Sequence, residues 1–114
     1  MSAKIFDLQC SMHLSRTLAA AIRSYVAIHY PHGVADCAQA AREALLGVAQ
    51  DIETVCQGHE RVSLSRRLRT LLKLAVNEYC DLQAASVEIE QARAALLAAL
   101  QGEVVNDALF ATLT

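Results

Sequence analysis

Residues 63–82 read SLSRRLRTLLKLAVNEYCDL. On a helical wheel with Arg66 at zero, Leu64, Leu68, Leu71, Leu72, Ala75, Tyr79 and Leu82 fall between about 140° and 240°. An apolar face of that width belongs to an amphipathic helix packed against others. Ser63 precedes it as a candidate N-cap, with no Glu or Gln at N3 to complete a capping box. Arg66, Arg69 and Lys73 lie within about 60° of one another, opposite the leucines, and Arg67 flanks them at about 100°. The segment therefore predicts a packed helix with a cationic ridge.

The same periodicity extends in both directions. Leu8, Met12, Leu18, Ile22 and Val26, with small Ser15 and Ala19 between them, predict a helix over about 7–29. Tyr30-Pro31-His32-Gly33 stops it, because the residue before a proline is pushed out of the α region. Ala38, Ala41, Leu45, Val48, Ile52 and Val55 predict a second helix over about 34–56, ended by Gln57-Gly58. The third covers about 64–81. Residues 81–85 contain no Gly or Pro, so they read either as its continuation or as a short connection. Ser86 can cap a fourth helix over about 86–101, with Glu88 and Glu90 in its first turn, where negative charge is favoured. Its apolar residues are Val87, Ile89, Leu96, Leu97 and Leu100, and Gly102 ends it. Residues 103–114 retain Val104, Val105, Leu109, Phe110 and Leu113, which suits a short docking helix or an apolar tail.

Composition agrees. The 114 residues are 54% hydrophobic and 19% charged, which excludes a disordered chain. Ala and Leu dominate, and aromatics make up only 4%, a poor match to an all-β domain. The expectation is an all-α single domain over 1–114, an antiparallel up-down four-helix bundle with a short C-terminal tail or helix. Small Ala-rich faces and a mean hydropathy of +0.28 predict more buried surface than one chain supplies, hence a homo-oligomer or an obligate partner. No apolar run approaches the roughly 18–20 residues needed to span a bilayer, and the first residues lack a signal-peptide core. The expected location is cytoplasmic, with no membrane partner.

Charge is unevenly spread. The net charge is −2, so affinity for nucleic acid requires a local patch. Residues 59–73 provide one: Arg61, Arg66, Arg67, Arg69 and Lys73 against Glu60 alone. The predominance of Arg suits bidentate phosphate recognition. No aromatic residue interleaves the ridge, so base stacking is not indicated. The competing account pairs these cations with Glu78, Glu88 or Glu90 as a solvated, ion-paired surface.

Catalytic patterns are missing from the sequence. The four Gly are isolated, Glu-x-x-His does not occur, and no Ser, Cys or His sits in a nucleophile motif. His13 has no surrounding phosphotransfer pattern. The chain is expected not to be an enzyme, with no cofactor and no small-molecule substrate. Cys10, Cys37, Cys56 and Cys80 show no CxxC pair and read as one small buried core filler per helix. A metal-binding bundle using His29, His32, Asp36 and Cys37 is a third reading.

Tyr30-Pro31-His32-Gly33, the segment Ala40-Ala41-Arg42-Glu43-Ala44-Leu45-Leu46, and the run Leu68-Arg69-Thr70-Leu71-Leu72-Lys73-Leu74-Ala75 before a last amphipathic helix resemble the Avd-like four-helix-bundle family. These are the accessory variability determinants of diversity-generating retroelements. The resemblance covers roughly residues 30–100. It implies a ring-shaped homopentamer that binds a reverse transcriptase and its template RNA without being catalytic. Carried onto this sequence, it implies nucleic-acid contacts from Arg66, Arg67, Arg69 and Lys73. The alternative is a protein-binding helical adaptor or chaperone with no nucleic-acid role, using the Ala/Leu faces and the acidic C-terminal third.

Overall fold

A computed structural model of the chain describes residues 5–9, 11–31, 36–55 and 61–113. The order of elements is strand β1 (Ile5–Gln9), helices α1 (Met12–His29) and α2 (Asp36–Val55), strand β2 (Arg61–Ser65), helices α3 (Arg66–Asp81) and α4 (Val87–Ala99), and a 3₁₀ helix (Asp107–Leu113). Among the described residues the fold is mostly helical, with four α-helices. The expected stops at His32-Gly33 and Gln57-Gly58 lie outside the described residues.

The all-α expectation is corrected by the two strands. β1 and β2 pair antiparallel, with Phe6 opposite Leu64, Asp7 opposite Ser63 and Leu8 opposite Val62. Both segments alternate. Phe6, Leu8 and Leu64 are buried and Val62 is half-buried, while Asp7, Arg61 and Ser63 are exposed. That period of two belongs to a half-buried ribbon, not to a helix turn. Leu8 is thus a core residue of a strand, and the first helix begins at Met12, whose side chain is exposed rather than part of the stripe.

α1 lies at the centre. Its Leu14, Leu18, Ile22 and Val26 are buried together with Leu45, Ala49 and Ile52 of α2, Leu72 and Val76 of α3, and Ile89 and Leu96 of α4. α1 packs against α2, α3 and the 3₁₀ helix, and α3 packs against α4. Arg42 of α2 donates to the carbonyl of Tyr30 at 2.9 Å, tying down the end of α1. The segment 82–86 is a connection. Ser86 then caps α4 by accepting the Ile89 amide at 3.1 Å. Val87, expected in the apolar face of α4, is exposed.

The residues that follow α4 form one wall of a cleft. Gly102 has φ +92°, a left-handed conformation that side chains disfavour. Its amide bonds the Ala99 carbonyl at 2.9 Å, and the Glu103 amide bonds Ala98 at 3.2 Å. This is the 6→1 and 5→2 pattern of a Schellman stop. The turn sends residues 103–106 along β1. There the Gln9 carboxamide accepts the Val105 amide at 2.6 Å and donates to the Val105 carbonyl at 3.0 Å. Phe110 then inserts fully into the core, so the C-terminal segment is a structural element rather than a loose tail.

Candidate nucleic-acid interface

The cap of α3 is Ser65, two residues beyond the expected Ser63. Its hydroxyl accepts the Arg67 amide at 3.2 Å. Ser63 instead donates its hydroxyl to the Asp7 carboxylate at 2.9 Å. The buried residues of α3 are Leu72, Ala75, Val76 and Cys80. They span about 180° to 320° on the wheel, so the core face is turned by about 60° toward the arginines. Leu68, Leu71 and Tyr79 are half-buried, and Leu82 is exposed. The ridge is therefore not opposite the core. Arg69 lies beside the core face, with its guanidinium carbon 4.7 Å from the centre of the Phe6 ring, a cation–π geometry.

This rotation joins the arginines to the strands. Arg66 Nε donates to the Ile5 carbonyl at 3.2 Å. Arg61, opposite Gln9 on the ribbon, reaches the carbonyls of Asp7 and Gly102 at 3.4 and 3.5 Å, which are long, weak contacts. Arg61, Arg66 and Arg69 line one open cleft of about 430 Å³. Ile5, Phe6 and Asp7 of β1 form one wall, and Gln101 and Gly102 form another. Arg69 Nε is buried with no hydrogen-bond partner among the described residues. Arg67 and Lys73 do not line the cleft: Arg67 is exposed on the first turn of α3, and Lys73 is half-buried one turn beyond Arg69.

Of the acidic residues named in the competing account, Glu78 and Glu90 have other partners. Asp81 Oδ1 lies 2.6 Å from Arg93, and Glu90 lies 3.4 Å from it. Glu78 pairs with His29 at 2.6 Å, and Glu53 pairs with Arg23. Among the described residues, no carboxylate lies within ion-pair distance of Arg61, Arg66, Arg67, Arg69 or Lys73. The first turn of α3 also contains no acidic residue. Cations at a helix N-terminus oppose the helix dipole by about 0.3–1 kcal/mol each, and a bound anion would relieve that opposition.

Sequence reasoning missed the other walls of the cleft: Phe6 and Asp7 of β1, and Gly102 of the turn after α4. The alternation in Ile5–Gln9 and Arg61–Ser65 was the available signal.

The metal reading finds little geometry. His29 is engaged with Glu78, Cys37 is exposed, and His32 lies outside the described residues. Among the described residues, no three His, Cys, Asp or Glu side chains gather as a metal site. Cys80 is a buried core filler as expected, and burial is the main cause that raises its thiol pKa. Cys37 departs from that expectation, while Cys10 and Cys56 lie outside the described residues. No helix among the described residues is long and apolar enough to cross a membrane.

No family model, curated protein sequence or solved structure matches the chain.

Proposed function

We propose that this chain is a non-catalytic accessory protein that binds nucleic-acid phosphates through Arg61, Arg66 and Arg69, with Arg67 and Lys73 extending the positive surface. One observation carries the reading. Three arginines converge on an open cleft at a helix N-terminus, and no carboxylate among the described residues pairs with them. Guanidinium groups fit phosphate oxygens in pairs. The helices act in this reading as an antiparallel bundle that holds the cleft rigid. The sequence resemblance makes a reverse transcriptase and its RNA the first partners to try, on a cytoplasmic homo-oligomer.

The test is anisotropy of a labelled single-stranded oligonucleotide between 50 and 200 mM salt. Three phosphate contacts predict a log–log slope of about −2, hence a roughly 20-fold loss of affinity over that range. The double variant Arg61→Ala/Arg66→Ala should flatten the slope by about 1.4. A salt-indifferent chain, or one unaffected by the double variant, refutes the proposal.

A protein-binding adaptor is the second reading. It is favoured by the exposed Leu74, which lines an open cleft of about 390 Å³ with Tyr25, His29, Glu78 and Asp81. That reading predicts that binding survives loss of the arginines and fails in Leu74→Glu.

A further inference from the structure

We infer that Asp7 makes the arginine cleft selective for ribose over deoxyribose. The inference rests on the phosphate reading of Arg61, Arg66 and Arg69. A carboxylate on the wall of an anion-binding cleft repels the ligand that the arginines attract. Its presence would be unremarkable if it paired with one of them, but it does not. Arg66 donates to the Ile5 carbonyl, and Arg61 makes long contacts to the carbonyls of Asp7 and Gly102, not to the Asp7 carboxylate.

Asp7 is nevertheless held in place. It stands directly opposite Ser63 on the exposed face of the ribbon, and the Ser63 hydroxyl donates to its Oδ1 at 2.9 Å. Oδ2 has no partner among the described residues. The residues lining the cleft thus include three donors of fixed charge and, in Asp7, one acceptor held by Ser63.

A nucleic-acid strand offers a complementary set. Its phosphates only accept, which suits the arginines. The ribose 2′-hydroxyl is a donor, recurs in every ribonucleotide beside a phosphate, and is missing from DNA. An ionised carboxylate only accepts. On RNA, Asp7 receives the 2′-hydroxyl. On DNA it meets no such donor, and only its repulsion of phosphate remains. Selectivity then comes from a hydrogen bond that only RNA can donate, set against a negative charge that both strands meet. It is independent of base sequence.

Oligo(U) and oligo(dU) of equal length isolate the 2′-hydroxyl, because their bases are identical. Both are measured by anisotropy against the full chain at one salt concentration. The expected result is tighter binding of oligo(U) by about tenfold, the scale of one charge-assisted hydrogen bond. In Asp7→Ala the affinity for oligo(dU) should rise and the ratio should fall to within about twofold. Ser63→Ala, which frees the carboxylate without removing it, should lower the ratio part of the way. It also serves if Asp7→Ala does not fold. Equal binding of the two oligomers by the unaltered chain overturns the inference and leaves the phosphate reading standing. An unchanged ratio in Asp7→Ala, or in Ser63→Ala should only that variant fold, does the same. Failure of both oligomers to bind overturns both.

Discussion

Asp107 Oδ1 accepts the backbone amide of Leu14 at 2.7 Å across 93 positions of sequence. Its Oδ2 accepts the His13 amide at 3.2 Å. Ser11, the residue in the N-cap position of α1, makes no side-chain cap bond. The cap of the central helix is therefore supplied by the C-terminal segment. Replacing Asp107 with Ala should lower unfolding free energy by about 1–2 kcal/mol, the usual cost of a lost cap. Urea denaturation measures this. Asp107→Asn, which retains an acceptor, should cost less, and an Ala variant as stable as the parent would show that the cap is dispensable.

The same pairing sets an acid dependence. Burial pushes the Asp107 carboxyl upward, but hydrogen bonds from Leu14, Ser11 and His13, with the charge of His13, outweigh it and leave the pKa below its ordinary 3.8. A depressed pKa stabilises the fold fully above the unfolded value and loses that contribution as pH falls through the folded value. The parent chain should therefore lose stability more steeply than Asp107→Asn below about pH 4. Denaturation midpoints taken between pH 2 and 6 would decide this; parallel curves would mean the carboxylate is not the titrating cap.

Thiol labelling should separate two cysteines. Cys37 is exposed and Cys80 is buried on α3. Burial, the largest cause, pushes the Cys80 thiol upward, so less of it is thiolate near neutral pH. Mass spectrometry after brief alkylation of the native chain should find Cys37 modified and Cys80 protected until denaturant is added. Early modification of Cys80 would mean that α3 opens locally against α4.

Much of the helical frame was legible, because α2, α3 and α4 each carry several apolar residues at helical spacing and recognisable ends at Ser86 and Gly102. The ribbon was harder to see. Each strand has five residues, too few for alternation to stand out, and Ile5-Phe6 blurs the pattern with two adjacent apolar residues. The pairing of Leu8 with Val62 is a long-range relationship that no local window contains. The basic cluster was plain in the sequence, but its geometry was not. The core face of α3 turns toward Arg69 because Leu64 belongs to β2 and Phe6 lies beneath the guanidinium. Asp7 carried no signal of its own; only the register brings it to Ser63.

Gly102 connects fold and cleft most directly. Its φ of +92° is strained for any residue with a side chain, while a Cβ there would meet the Asp7 carbonyl at 3.7 Å, an ordinary van der Waals distance. The cost of Gly102→Ala is therefore backbone strain rather than collision, about 1 kcal/mol or somewhat more. Relief of that strain requires the turn after α4 to open, which draws the Gly102 carbonyl away from Arg61 and shifts the wall shared with Gln101. The variant should melt a few degrees lower and also bind oligo(U) more weakly, whereas Asp107→Ala should reduce stability with a smaller effect on binding. Thermal melts and anisotropy on the same preparations would separate the two. If Gly102→Ala binds as the parent does, the α4 turn is only a structural stop and the cleft depends on β1 and the arginines alone.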